Sequence, residues 1–156
     1  MGAGRTLDEN ARAIAHRVGA LVAERGWTLL TGGSACGVMD AASQGAHEAG
    51  GLVIGILKDD DADEPSRYLD IAIKTGMGDA RNVINVLSSD VVIALPGGWG
   101  TLSEVALALK SGKTVIVLGW DPGAAMRSAG PSRLLDAMTP ESAVAMAAEE
   151  IASRHH

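Results

Sequence analysis

The residue types best suited to chemistry lie in one glycine-rich turn and in the acid that follows it. The turn comes directly after the apolar residues 91–95 and consists of Pro96, Gly97, Gly98, Trp99, Gly100 and Thr101. At the start of a helix, backbone N–H groups lack helical partners and the helix dipole adds positive potential, so an anion is the natural guest. The turn therefore predicts a phosphate site, and Glu104 places a carboxylate beside it.

Glu104 has two competing interpretations. Its carboxylate could act on a ribose, stabilising the oxocarbenium-like transition state of N-glycosidic cleavage. Alternatively, Thr101 and Glu104 have the Thr-x-x-Glu spacing of a capping box, in which both side chains only satisfy the start of the helix. We also expect Gly97, Gly98 and Gly100 to let the backbone approach the phosphate and to permit positive φ.

Arg81 is the basic residue placed to meet the same anion. It lies just after Gly78, early in a helical pattern over residues 79–87, and its guanidinium offers a forked contact to phosphate. The alternative is a surface ion pair with Asp79 or another acid. Asn82 and Asn85 could hydrogen-bond the edge of a base or pterin, or simply satisfy backbone groups at a subunit contact, and we favour the second role for Asn85.

Two further glycine loops extend the predicted site. Gly32, Gly33 and Ser34 follow a short apolar strand and could contact a phosphate or ribose, or serve only helix–strand packing. A similar turn opens the chain. The predicted binding residues are Gly2, Gly4, Gly32, Gly33, Ser34, Gly78, Arg81, Asn82, Pro96, Gly97, Gly98, Trp99, Gly100, Thr101 and Glu104.

Composition excludes several classes of protein. The 156 residues carry a net charge of −6, which argues against nucleic acid or an anionic membrane as a partner. Hydrophobic residues make up 47% without any Phe, so the core must be aliphatic. One cysteine, no spacing typical of a metal site and no apolar run near ~18 residues predict a cytoplasmic protein without metal ligands. His155 and His156 are interpreted as a tag remnant.

Apolar strand patterns alternate with alanine-rich helical patterns along residues 1–154. This alternation predicts a single α/β domain with a doubly wound, mostly parallel sheet and helices on both faces, and a ligand at the carboxyl ends of the strands. No strand precedes the first glycine turn. Either a first strand is missing from the sequence or the fold lacks it, and we favour the first interpretation. The predicted helices cover residues 8–24, 38–48, 79–87, 101–111 and 139–152. The predicted strands cover residues 27–31, 52–57, 71–74, 91–95 and 114–118. Residues 119–131 are predicted to form a loop.

Three motifs together resemble a known superfamily. They are Thr31-Gly32-Gly33 with Gly37-Val38-Met39, Gly76 through Arg81-Asn82, and Pro96-Gly97-Gly98-Trp99-Gly100-Thr101 with Glu104. They resemble the Lonely Guy (LOG), or lysine decarboxylase-like, superfamily, which includes phosphoribohydrolases that activate cytokinins and molybdenum cofactor carrier proteins. The resemblance implies a Rossmann-like fold and a homodimer or homotetramer. Nothing in the sequence offers a lysine site for pyridoxal phosphate.

The resemblance leaves three functions open. Two segments resemble the sequences of the carrier branch, namely Leu29-Leu30-Thr31-Gly32-Gly33 and Ala80-Arg81-Asn82. This resemblance implies a small phosphorylated ligand, with molybdenum cofactor as the bound cargo. The alternative is a LOG-type hydrolase that releases a free base from a nucleoside 5′-monophosphate. It would need no cofactor, and Arg81 and Glu104 would be catalytic. A third possibility is a regulatory module that senses nucleotides.

Overall fold

Two three-stranded parallel sheets form the centre of the protein. The computed structural model describes residues 1–2, 8–58, 64–130 and 132–154. One sheet has the order β1-β2-β3 and the other the order β4-β5-β6. The strands are β1 (Leu29–Thr31), β2 (Val53–Leu57), β3 (Ile71–Lys74), β4 (Val91–Ala94), β5 (Thr114–Leu118) and β6 (Leu134–Ala137).

Helices connect the strands and begin at clear sequence signals. Asp8 caps the first helix by accepting a hydrogen bond from the Ala11 N–H at 2.7 Å. Thr139 and Ser142 form a reciprocal capping box around Pro140. The helices are α1 (Glu9–Glu24), α2 (Gly37–Glu48), α3 (Arg81–Leu87), α4 (Trp99–Lys110), α5 (Ala124–Ala129) and α6 (Pro140–Ser153), with a 3₁₀ turn (Gly78–Ala80) leading into α3.

The core is aliphatic, as the composition predicts. All five residues of β5 are buried, and Val115 and Ile116 are fully inaccessible. Helices α1 and α2 approach to backbone contact because Gly19 and Gly45 lie at their crossing. A Cβ at Gly19 would overlap the Ala42 carbonyl, and one at Gly45 would overlap the His16 carbonyl. The predicted α/β fold with parallel strands and helices is therefore confirmed.

The carboxyl end of the chain departs from the predicted elements. Residues 119–131 were expected to be a loop, but Ala124–Ala129 form α5. β6 was not predicted, because Leu134–Ala137 is short and contains an exposed Asp136, so it lacks a clear strand pattern. It pairs with β5 in parallel, Leu135 opposite Ile116. Gly4, His155 and His156 lie outside the described residues.

The predicted helix starts also shift at the two site elements. The helix expected over 79–87 divides into the 3₁₀ turn and α3. The helix expected from residue 101 begins at Trp99, since Gly98 occupies the N-cap position. Across the ranges that the structure describes, no helix is long and apolar enough to span a membrane.

Candidate functional site

A cavity of about 1150 Å³ opens at the carboxyl ends of β1 and β4. The predicted binding residues that line it are Gly2, Gly32, Ser34, Arg81, Asn82, Gly98, Gly100, Thr101 and Glu104. Gly33, Gly78, Pro96, Gly97 and Trp99 lie outside this lining, and the Trp99 side chain is 88% exposed. The outer part of the cavity, at the glycine loops, is thus polar, and its inner part, between β1 and β4, is apolar.

Arg81 is a buried cation whose hydrogen bonding is incomplete. It is 7% exposed, and its Nη1 donates to the Ile56 carbonyl at 3.0 Å. Its Nε is buried and has no partner among the described residues. The alternative of an ion pair with Asp79 is wrong, since Asp79 lies on the surface with its Oδ1 3.7 Å from Lys58 Nζ. A buried guanidinium facing a cavity is suited to an anionic ligand.

Gly32 makes room for this arginine. A Cβ at Gly32 would overlap Arg81 Nη1 and would lie 2.6 Å from the Met39 sulfur. The first glycine loop therefore contributes space to the guanidinium, which is a role the sequence alone did not reveal.

Gly33 serves packing. It has a φ of +75°, and its N–H donates to the Thr31 hydroxyl at 3.0 Å. A Cβ here would lie 2.7 Å from a Leu57 methyl and 3.1 Å from Gly55 Cα. Ser34 borders the cavity, 8% exposed, with its hydroxyl 3.4 Å from the Cys36 sulfur. Within this loop, Gly33 packs against the protein core and Ser34 contributes a polar side chain to the cavity wall.

The second glycine turn is open rather than strained. Gly98 has a φ of −93°, and no side chain caps the helix. Neither it nor Gly97 or Gly100 has a positive φ, so that expectation was wrong. A Cβ at Gly98 or Gly100 would meet nothing within 4 Å. The absence of side chains here leaves the first N–H groups of α4 accessible to a ligand.

Glu104 is held by an asparagine and does not cap the helix. Thr101 is the third residue of α4 and is buried, so the Thr101–Glu104 capping box does not form. Instead, Glu104 Oε1 accepts a hydrogen bond from Asn85 Nδ2 at 2.9 Å, and both side chains are buried. The Asn85 Oδ1 is buried without a partner among the described residues. The carboxylate is thus fixed at the cavity wall.

Asn85 lines the cavity but is not among the predicted binding residues, because we favoured for it the role of satisfying backbone groups at a subunit contact. The available signal was the spacing Arg81-x-x-x-Asn85, which places both side chains on the same face of a helix. Nothing in the sequence indicated that Glu104, 19 positions later, is its partner.

Asn82 joins the two site helices. Its Nδ2 donates to the Ser103 hydroxyl at 3.0 Å, and that hydroxyl donates to the Gly100 carbonyl at 2.7 Å. This relay fixes the start of α3 against the first turn of α4. Arg81 and the glycine turn are therefore held in one geometry before any ligand arrives.

The amino group of Met1 lies close to the same acid. It donates to the Ile93 carbonyl at 2.7 Å. Burial lowers the pKa of this amino group, and the nearby Glu104 charge opposes that shift. Within the described ranges, no group of three or more His, Cys, Asp or Glu side chains could hold a metal ion.

Fold and cavity together define an α/β protein with a cleft at the carboxyl ends of its parallel strands, lined by a buried arginine and by open glycine positions. The chain belongs to the SLOG cluster4 family, whose model matches residues 1–146. The predicted resemblance to the LOG-like superfamily is confirmed, and the fold is Rossmann-like.

Several solved structures match almost the whole chain, and two of them are described here. The molybdenum cofactor binding protein from the phototrophic bacterium Rippkaea orientalis is 46% identical, with a TM-score of 0.90 and coverage of 97% of this chain and 94% of that one. The molybdenum cofactor carrier protein MCP from Chlamydomonas reinhardtii is 40% identical, with a TM-score of 0.88 and coverage of 97% and 95%.

A curated relative belongs to the enzyme branch. The cytokinin riboside 5′-monophosphate phosphoribohydrolase of Mycobacterium tuberculosis is 36% identical over 101 residues. The match covers 59% of this chain and 50% of that enzyme, so this chain spans about half the length of that relative.

Proposed function

We propose that this protein binds a phosphate-bearing, nucleotide-like ligand and acts as a carrier of molybdenum cofactor. The observation that supports this most directly is the buried Arg81, whose Nε has no partner among the described residues and whose side chain lines the cavity. A phosphate between the guanidinium and the open turn at Gly98 and Gly100 would supply the missing acceptor. The predicted residues Arg81, Gly98, Gly100 and Thr101 form the phosphate end of this proposed site.

The hydrogen bond at Glu104 is compatible with a carrier. Asn85 donates to its Oε1, so the carboxylate is held as a fixed part of the cavity wall. The near-complete match to two proteins named for this cofactor is what favours the carrier.

The carrier proposal is tested by purifying the protein from a host that makes molybdenum cofactor. We expect bound molybdenum by mass spectrometry and a fluorescent pterin after oxidation. Arg81→Gln should lose most of both signals, whereas Arg12→Gln, on the exposed face of α1, should retain them. Wild-type protein with neither molybdenum nor pterin would refute the proposal.

A LOG-type phosphoribohydrolase is the second candidate. It is favoured by one observation, namely that Arg81 and Glu104, the two residues the enzyme would need, line the same cavity. Incubation with AMP and with isopentenyladenosine monophosphate tests it. Release of free base that disappears in Glu104→Gln and persists in the exposed Glu149→Gln would establish hydrolysis. No release at high protein concentration would exclude it for these two substrates.

We also propose a cytoplasmic homodimer or homotetramer in which residues 1–154 act as one unit. Val83 and Leu87 on α3 are 41% and 57% exposed, and such apolar side chains are typical of a subunit contact. Light scattering after size exclusion should give at least twice the monomer mass, and Leu87→Asp should reduce it. A monomeric wild type would contradict this proposal.

A further inference from the structure

Two side chains of the cavity wall each have a buried polar atom without a partner among the residues that the structure describes. The atoms are Arg81 Nε and Asn85 Oδ1, and the two residues are 7% and 2% exposed. A polar atom that is buried and unpaired destabilises the fold. The proposed phosphate would supply an acceptor to Arg81, but a phosphate dianion has no proton to donate. Asn85 Oδ1 therefore needs a different group of the ligand.

Glu104 determines which end of the Asn85 amide is left without a partner. Asn85 Nδ2 donates to Glu104 Oε1 at 2.9 Å. An ionised carboxylate only accepts hydrogen bonds, so the reversed amide would place two acceptors against each other. The amide group therefore has one favourable orientation, in which its oxygen is the acceptor that remains for a ligand.

The two unpaired atoms belong to side chains on one face of α3. Arg81 and Asn85 are four positions apart, which gives their Cβ atoms a separation of about 5–6 Å. The Ser89 hydroxyl donates to the Asn85 carbonyl at 2.7 Å and holds the backbone of this turn. Helix α3 thus presents a donor at Arg81 and, one turn later, an acceptor at Asn85. The complementary ligand has an anionic group and, about one helical turn away, a hydrogen-bond donor.

Glu104 provides a second acceptor beside Asn85. Its side chain lines the cavity and is 8% exposed. A carboxylate has about four lone-pair sites, and the hydrogen bond from Asn85 occupies one of them. Two neighbouring acceptors repel a second anionic group and favour a ligand group that carries two protons to donate.

We propose that Asn85 and Glu104 form a subsite for two adjacent hydrogen-bond donors of the ligand, one of which donates to Asn85 Oδ1. The inference rests on the proposed function, because it assigns the group that follows the phosphate. The vicinal diol of a ribose carries such a pair of donors. The edge of a 2-amino-4-oxopyrimidine ring also carries one, since a ring N–H adjoins an amino group there. Asn85 is then a specificity residue that selects among phosphate esters which Arg81 binds alike.

Pairs of nucleotides that differ only in these donors test the inference. AMP is compared with 2′,3′-dideoxyadenosine 5′-monophosphate, which lacks the diol, and GMP is compared with IMP, which lacks the amino group. Calorimetry gives the four affinities for the wild type, for Asn85→Leu and for Asn10→Leu. The last variant is the matched control, because it makes the same change on the exposed part of α1.

We expect the wild type and Asn10→Leu to bind AMP or GMP about tenfold or more tightly than the analogue that lacks the donor. The pair that shows this difference identifies the source of the donors. In Asn85→Leu the ratio should fall to about threefold or less. Equal ratios in the wild type and Asn85→Leu would overturn the inference, as would wild-type ratios near one for both pairs. Binding of neither AMP nor GMP would refute the proposed nucleotide-like ligand and the inference with it.

A measurement on the wild type makes the test independent of how well Asn85→Leu folds. The asparagines of the chain are Asn10, Asn82 and Asn85, so isotope-labelled asparagine gives a simple NMR spectrum of side-chain carbonyls. A hydrogen bond accepted by Asn85 Oδ1 should move its carbonyl signal downfield with the donor-bearing nucleotide and not with the analogue, while the Asn10 signal stays in place. An Asn85 signal that responds alike to both nucleotides would overturn the inference even if their affinities differed.

Discussion

The two glycine loops at the cavity use the same residue type for opposite purposes. In the loop after β1, a Cβ at Gly32 or Gly33 would meet neighbouring atoms at less than 3.0 Å. In the turn before α4, a Cβ at Gly98 or Gly100 would meet nothing within 4 Å. In the first loop, glycine leaves room for other protein atoms, which are the Arg81 side chain at Gly32 and the Leu57 and Gly55 atoms at Gly33. In the second turn it leaves open space, which the proposed phosphate would need. A glycine motif therefore does not by itself identify a phosphate contact.

The largest loss of unfolding free energy is expected for Gly33→Ala, in the crowded loop after β1. Positive φ and contact with Gly55 Cα should together cost about 2–4 kcal/mol of unfolding free energy. Gly26→Ala is the matched control, since Gly26 has a φ of +72° but open space around its Cβ. It should cost about 1–2 kcal/mol in urea unfolding. Equal losses for the two variants would mean that crowding at Gly33 is unimportant.

The next largest change in unfolding free energy is expected at the hydrogen bond between Asn85 and Glu104, the acid that follows the open turn. Asn85→Leu removes the donor to the buried Glu104 carboxylate, which should cost about 1–3 kcal/mol by chemical unfolding. Asn10→Leu, on the exposed part of α1, should stay within about 0.5 kcal/mol of wild type. If both variants unfold alike, the Asn85–Glu104 contact contributes nothing to holding the turn.

Gly32→Ala should separate binding from stability. Its φ is not positive, so the new methyl group meets only the ends of two flexible side chains, Arg81 and Met39. We expect unfolding free energy to fall by about 1 kcal/mol or less and AMP affinity by calorimetry to fall about tenfold or more. Unchanged affinity would show that the position of Arg81 is irrelevant to the anion.

The smallest change is expected for Gly100→Ala in the open turn. Alanine favours a helix over glycine, so unfolding free energy should rise by about 0.5–1 kcal/mol. AMP affinity should nevertheless drop, because the methyl group projects into the cavity mouth. A variant that is more stable and binds equally well would remove this glycine from the proposed phosphate contact.

Strands and helices whose apolar residues recur regularly could be predicted from the sequence. Ile71–Lys74 and Thr114–Leu118 have the bounds that their apolar runs indicated. β6 could not be found, because its place in the sheet depends on pairing with β5 and its own four residues carry little pattern.

The parts of the site that escaped sequence analysis are contacts between distant residues. Arg81 and Gly98 could be selected by type and position. The hydrogen bond from Arg81 to Ile56 and the one from Asn85 to Glu104 arise only when separate helices and strands pack together. The start of α4 at Trp99 was missed because Gly98 caps the helix without a side-chain signal.

The hydrogen bond from Arg81 to the Ile56 carbonyl has a thermodynamic consequence. A free arginine side chain carries about 2 kcal/mol of rotamer entropy. Because a strand carbonyl and the crowding at Gly32 already fix this side chain, that entropy is lost during folding and not during ligand capture. Anion binding should therefore have a smaller entropic penalty at this guanidinium than at an exposed, mobile arginine, and calorimetry can measure that difference as a less unfavourable binding entropy.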